Sequence, residues 1–385
     1  RPWTDYLARS CHLLMQGLNV ADIAYLYGER YNATYFAREG HPAIPRGYAY
    51  DYINAETLLK YSKVKKGRLV MPSGVSYRLL ALDESTCEMS PALLARLGEL
   101  AAAGVDICGR KPTVMAGLGG DKTAFHNLAE EIWKMDCIHT GTIGEALQNI
   151  GISPDVEWNG DAPLRFVHRK LNFGEIYWLS NPTEEKIETD ISLRCCGYMP
   201  MLWRAEDGSE LPLAFCGKEG RTSFHLALEA HDAVFVVLVR KAGGCEDAAG
   251  YAMDEEAVHK TSKQVDGPWK VLFHSPVYES FEREFSRLAD FSQVEGDDDV
   301  RYFSGCAAYS KTIDCDGFRT LDLGKVYGIA ELLVNGESRG IQWHAPYRFD
   351  LNGLPAGENN IEIRITTPWR NRLIGDRQPG RDGVR

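Results

Sequence analysis

Cys108 ends the apolar segment VDICG, a position where a strand can present a nucleophile to the turn that follows. A thiol works there only if a tight small-residue turn exposes the sulfur and a base stands beside it. ICGRKP has no glycine before the cysteine and no histidine in the segment, so it reads as a buried structural thiol. GLGGD (residues 117–121), followed by Lys122 and Thr123, invites comparison with a phosphate loop. Its spacing is not G-x-x-x-x-G-K and no strand leads directly into it, so a loop without phosphate is expected. EGDDDV (residues 295–300) is rich in oxygen donors for calcium. Adjacent Asp residues cannot all face one ion from a strand, and the spaced Asp loop is missing, so a solvated turn is expected. Asp51 and Asp121 have no more support as ligands. Acid–base hydrolysis needs two carboxylates, and Glu29, Glu39, Asp51 and Asp83 lie in or near one region, but nothing in the sequence singles out a pair. No catalytic residue and no metal ligand is assigned. Four residues near the C-terminus, Trp343, Tyr347, Trp369 and Arg370, suit carbohydrate binding, because sugar C–H faces pack on aromatic rings. Each is weighed against core or inter-domain packing, the commoner use of aromatic residues in sandwiches.

The elements that must position these residues change character along the chain. PWTDYLARSCHLLMQGLNVA is helical, with Leu7, Cys11, Leu14, Leu18 and Ala21 as a core-facing stripe. Asp22 to Leu26 read as a short strand or helix end. GRLVMPSGVSYRLLALD supplies short strands around a Pro72–Gly74 turn. Ser90 caps a helix with Pro91 at its first position, and VDICG is the strand after it. TAFHNLAEEIWKM and TIGEALQNIG are further helices. This is a small doubly wound α/β layer of flavodoxin or amidotransferase-like type. From about residue 163 short alternating or apolar segments are separated by Gly, Pro and Asn, the pattern of β-sandwiches. GGCEDAAGYAMDEEAVHK (residues 243–260) reads as a linker. In the last part, VNGE marks a hairpin turned by Asn335–Gly336. The fold class is multi-domain, α/β plus all-β: residues 1–30 as a closing helix and strand, 31–160 as the α/β layer, 161–245 as one β-sandwich and 246–385 as a second.

The chain has 385 residues, 44% hydrophobic and 25% charged, which is ordinary globular composition. A net charge of −11 argues against nucleic acid as a main partner. The longest apolar run, AVFVVLV, is far short of a membrane span. Ten cysteines are scattered without C-x-x-C pairs or zinc spacing, which fits a reducing, cytoplasmic compartment. No signal-peptide pattern is visible. The chain opens without an initiator Met and inside a helical pattern, so an internal piece of a longer protein is expected.

The ordered series of segments resembles glycoside hydrolase family 106, the α-L-rhamnosidases. DYLARSCHLLMQGLNVADIAYLYGE is similar to the elements that close that family's catalytic barrel. GYAYDYIN, GRLVMPSGVSYRLLALDE and MSPALLARLGELAAAGVDICGRKPT are similar to its next α/β region, and RFVHRKLNFGEIYWLSNPT to its first sandwich. VRYFSGCAAYSKTI, LDLGKVYGIAELLVNGESRGIQWHAPYRFDL and PWRNRLIGD resemble its galactose-binding-like jelly-roll sandwich, which is also similar to the sugar-binding domain of family 2 glycosidases. The resemblance implies inverting, calcium-assisted hydrolysis of terminal α-L-rhamnose by two glutamates in a barrel upstream of Arg1. This chain would then be scaffold and carbohydrate-binding region, with a rhamnose-containing glycan and that barrel as its partners and no cofactor of its own. A stand-alone carbohydrate-binding protein is the alternative. The first reading requires exposed apolar surface along the opening helix, and the second a polar one.

Overall fold

The computed structural model describes residues 2–30, 42–117, 119–241 and 262–378. Residue 39, one of the carboxylates named above, and the linker at 243–260 lie outside the described residues. The architecture is mixed and strand-rich.

A parallel five-stranded sheet forms the α/β layer from β1 (Ile23–Leu26), β2 (Tyr50–Ile53), β3 (Leu79–Leu82), β4 (Asp106–Cys108) and β5 (Ile138–His139). Its spatial order is β2-β1-β3-β4-β5. Every residue of β1 and β3 is buried, because both faces of the sheet are covered. Ala24, Leu26, Leu80, Leu82 and Ile107 face one cluster with Leu93 and Leu97 of α2 (Pro91–Ala102) and Phe125 of α3 (Lys122–Ile132). Ile23, Tyr25, Leu79, Ala81 and Cys108 alternate to the other face, against Ala146 and Leu147 of α4 (Ile143–Asn149). Ser90 caps α2 as the sequence requires, accepting from Leu93 N at 3.2 Å. Sequence patterning groups residues 22–26 with the opening helix. In the structure β1 is instead an interior strand of the layer, paired on both edges and next to the edge strand β2.

The opening helix α1 (Pro2–Leu14) is shorter than its periodicity suggests, and it turns the other way. Tyr6, Leu13 and Leu14 pack on Ile176, Phe235 and Val237 of the first sandwich, with Ser10 buried between them. Of the expected stripe Leu14 packs inward and Ala21 is buried, but Leu7, Cys11 and Leu18 face outward. Trp3 is 50% exposed, Leu7 39%, Met15 77% and Leu18 41%. Gly17 ends the helix at φ +56°, where a Cβ would stand 2.1 Å from the carbonyl oxygen of Lys170. That close approach lets the strand Leu18–Asn19 pair with the first sandwich.

The first sandwich has strands β6 (Arg165–Lys170), β7 (Glu175–Ser180), β8 (Ile187–Leu193), β9 (Tyr198–Trp203), β10 (Arg221–Leu228) and β11 (Ala233–Lys241). One sheet runs Leu18–Asn19, β6, β7, β11, β9, Glu210–Pro212, and the facing sheet runs Val156–Trp158, β8, β10, Cys216–Lys218. The last part contains β12 (Trp269–Ser275), β13 (Tyr278–Phe285), β14 (Cys306–Asp314), β15 (Thr320–Asp322), β16 (Ile329–Val334), β17 (Glu337–Gln342), β18 (Arg348–Asp350) and β19 (Glu358–Thr366), then α5 (Arg370–Asp376). Six of these strands form one antiparallel sheet, β13-β12-β14-β19-β16-β17. Only β15 and β18 lie in the second. Asn335 and Gly336 turn the β16–β17 hairpin at φ 52° and 84°, both in the left-handed region that such a turn demands.

Leu80 is fully buried in the central part of the parallel sheet. Leu80→Ala is expected to destabilise the α/β layer by about 2–5 kcal/mol, read as a lower urea midpoint with unchanged far-ultraviolet dichroism of the folded state.

Candidate functional site

The structure scatters the four aromatic and basic candidates. Trp343 follows β17 and packs on α1, its ring centroid 4.7 Å from that of Trp3 and 5.1 Å from that of Tyr6. Its neighbour His344 approaches Glu206 of the first sandwich at 3.8 Å. The hydrogen bond to Glu206 outweighs burial and holds the His344 imidazole above its ordinary pKa. Trp343 is therefore an inter-domain contact. Tyr347 is a core residue whose hydroxyl donates to Gly328 O at 2.7 Å. Trp369 and Arg370 stand at the start of a helix rather than in a strand turn. Trp369 is 44% exposed, and Arg370 lines a groove in the last sandwich.

The other motifs resolve into structure. Cys108 donates to Gly141 O at 3.6 Å. Burial, with Glu145 nearby, pushes its thiol up to about 11, the opposite of what a nucleophile needs. His139 lies beside it in register, but its Nε2 is bound to Asp106 at 2.9 Å. The Asp121 carboxylate accepts from Thr123 N and Ala124 N, so it occupies the helix end where a phosphate would sit. Asp297 caps the short helix Asp298–Arg301 and pairs with Arg283 at 2.7 Å. Glu29 accepts from Ser90 N, Asp51 from Asn19 and Tyr77, and Asp83 from Tyr25. Among the described residues no group of three or more His, Cys, Asp or Glu is placed to hold a metal ion.

What the sequence does not announce is a buried charged cluster between the α/β layer and the first sandwich. Asp155 is almost fully buried. Its carboxylate meets His168 Nδ1 at 2.8 Å, the Tyr177 hydroxyl at 3.2 Å and Arg194 Nε at 3.9 Å. His168 Nε2 meets Glu175 at 2.7 Å, and the Tyr177 ring stacks on the imidazole with centroids 3.9 Å apart. Arg194 reaches across to Asp22, at the start of β1, at 2.6 Å, and Arg78 approaches the same carboxylate at 3.6 Å. Burial pulls the His168 pKa down, but its two carboxylate partners together raise it above the ordinary value. The one sequence signal was a histidine at an inward position of RFVHRK, where an apolar residue belongs.

The second feature is a groove of about 1430 Å3 in the last sandwich, between the inner face of β12, β14 and β19 and the two-stranded sheet. Trp269, Tyr309, Ile363 and Ile365 form its floor.

This combination of a parallel α/β layer and antiparallel sheets matches a solved rhamnosidase. The family model described as alpha-L-rhamnosidase, glycoside hydrolase family 106, matches residues 1–216. The chain belongs to that family. A rhamnosidase from Novosphingobium sp. PP1Y superimposes with a TM-score of 0.82 at 34% identity, over 100% of this chain and 38% of that one. A putative beta-glucuronidase from Formosa agariphila is 31% identical over 98% of this chain and 52% of its own length. The chain thus spans about half the length of that relative, and less of the solved rhamnosidase.

Two outcomes follow from the cluster and from Trp343. The stabilisation due to His168 is fully present below its unfolded pKa of about 6.5 and is lost as pH rises through its raised folded value. Thermal midpoints measured from pH 6 to pH 9 should therefore fall more for the wild type than for His168→Gln. Trp343→Ala removes two ring contacts of about 0.5–1.5 kcal/mol each. Faster proteolysis between the two sandwiches is the expected readout, with each sandwich still folded.

Proposed function

We propose that these residues are the non-catalytic scaffold of an α-L-rhamnosidase, packed against a catalytic barrel of the same polypeptide. The full-length enzyme hydrolyses terminal α-L-rhamnose from glycans or glycosides with inversion, and any calcium belongs to its barrel. The observation that carries the docking is the outward stripe of α1. Leu7 is 39% exposed and Met15, one residue past the helix, is 77% exposed, beside Trp3 at the edge of the Trp343 contact, while the other face of the helix is already packed. A stand-alone carbohydrate-binding protein would need a polar face there. In this reading the parallel sheet is a flavodoxin or amidotransferase-like layer, and the last sandwich is a galactose-binding-like jelly roll with a role in glycan binding. The protein works in the cytoplasm, where its dispersed thiols stay reduced. No helix among the described residues is long and apolar enough to cross a membrane.

The test is release of nitrophenol from an aryl α-L-rhamnoside, with and without calcium. Residues 1–385 alone should give no turnover, and the same residues joined to the preceding portion of a family member should turn over. Turnover by the 385-residue chain alone would place a catalytic carboxylate pair inside it and overturn the proposal. Leu7→Glu in the joined protein should weaken barrel docking, seen as earlier thermal inactivation.

A further inference from the structure

The groove in the last sandwich has a lining that none of the four sequence candidates except Arg370 shares. It exists because two strands cannot cover six. β18 covers part of the large sheet through Phe349, and the inner residues Trp269, Val271 and Phe273 of β12 are buried, so the open apolar surface lies at the rim, on Leu288, Tyr327 and Ile374. The floor is apolar, with Trp269 buried beneath it and Tyr309 partly buried. At the rim Tyr327 is 62% exposed, with the Lys325 ammonium 5.1 Å from its ring centroid. At about 1430 Å3 the space exceeds the usual pocket for a compact ligand, about 300–1,000 Å3, and suits an elongated one.

The polar groups narrow the ligand class. Lys263, Lys311, Lys325 and Arg370 line the groove. They are matched by Asp266, Asp290, Asp314 and Asp322, so the lining carries no net charge to select a polyanion. One wall also offers main-chain groups. Leu323 N donates to Tyr347 O and Leu351 N to Arg319 O, so odd-numbered residues face β18. By antiparallel alternation Thr320 and Asp322, both in the groove lining, turn their N–H and C=O away from β18. An extended peptide could in principle add a strand there, but β15 is only three residues long and offers two such residues. An apolar floor, an aromatic rim, dispersed hydroxyls and neutral balance fit a molecule with apolar C–H faces and many hydroxyls.

We infer that this groove binds a neutral oligosaccharide, stacked on Tyr327 and hydrogen-bonded along the β15 edge. The inference rests on the reading of the chain as part of a glycosidase and assigns the glycan to a surface in this chain rather than to the catalytic barrel. Isothermal titration of the 385-residue protein tests it, using neutral oligosaccharides of several sugars, rhamnose-terminated ones included, with an oligogalacturonide as the acidic comparison. A neutral member should bind better than the acidic one. Tyr327→Ala should weaken binding about tenfold or more, and Thr320→Trp, which adds bulk at an exposed lining position, should abolish it. Trp343→Ala and Trp369→Ala should leave the affinity unchanged. Absence of binding to any neutral glycan, preference for the acidic one, or indifference to both groove variants overturns the inference. So does a dimer, seen by light scattering, that Thr320→Trp dissociates, because a second copy would then fill the groove. Binding involves no catalysis, so failure here is distinct from failure of the rhamnoside assay.

Discussion

The carboxylate of Asp155 is shared by a histidine, a tyrosine and an arginine, and the relation between the first two parts of the molecule depends on that sharing. It stands just before the first sandwich begins, and its main-chain N–H is bound to Gly47 O in the α/β layer. Arg194 carries the connection onward to Asp22, whose carbonyl receives Arg78 N and Leu79 N at the entry to β3. The central strands of the parallel sheet are thus registered by a residue of the sandwich. With His168 protonated, Asp22, Asp155 and Glu175 are balanced by Arg78, Arg194 and His168. Buried charges of this kind add little net stability, because desolvation cancels much of the attraction. Their effect is on geometry: any relative shift of the two parts leaves a charge buried and unpaired, which costs about 3–5 kcal/mol.

A second constraint acts through α1. The helix lies on the first sandwich through Tyr6, Leu13 and Leu14, and Arg9 donates to the carbonyls of Ala205 and Glu206. Trp343 of the last sandwich then closes on Trp3 and Tyr6. The same helix therefore joins both sandwiches and still presents an apolar stripe outward. A helix that is apolar on more than one side is buried on more than one side. Two of the helix's contacts are thus made within these residues, and its outward stripe is what the proposed docking rests on.

Much of the local structure was legible in the sequence. Asn54 and Ser90 cap the helices they precede, and Asn335–Gly336 turns its hairpin. These features depend on neighbours a few residues apart, and short-range rules describe them well. The direction of α1 was not legible. Leu7, Cys11 and Leu18 share helical spacing as good as that of Tyr6, Leu13 and Leu14, and periodicity cannot say which of two apolar faces meets this part of the protein. The charged cluster was hidden for another reason: Asp22, Asp155, His168 and Arg194 come from four separate elements, and no spacing rule brings them together. Trp343 and Tyr347 read equally well as ligand contacts or as packing, and only tertiary structure separates those uses.

The last sandwich can leave its groove open because its stability comes from elsewhere. Phe273 is surrounded by Phe281, Phe285, Phe291 and Phe303, a dense aromatic core at one end of the six-stranded sheet. Asn335 ties the far hairpin to β19 through Asn359 and Asn360. Every strand from β12 to β16 in that sheet is paired on both edges except β13 at its border. The hydrogen-bonded ladder is thus complete without the second sheet, while Trp269 and Ile363 at the groove's floor already belong to the core. A sandwich with equal sheets would have covered the rim as well. The unequal one, six strands against two, leaves exposed apolar residues, Leu288, Tyr327 and Ile374, at the groove's rim.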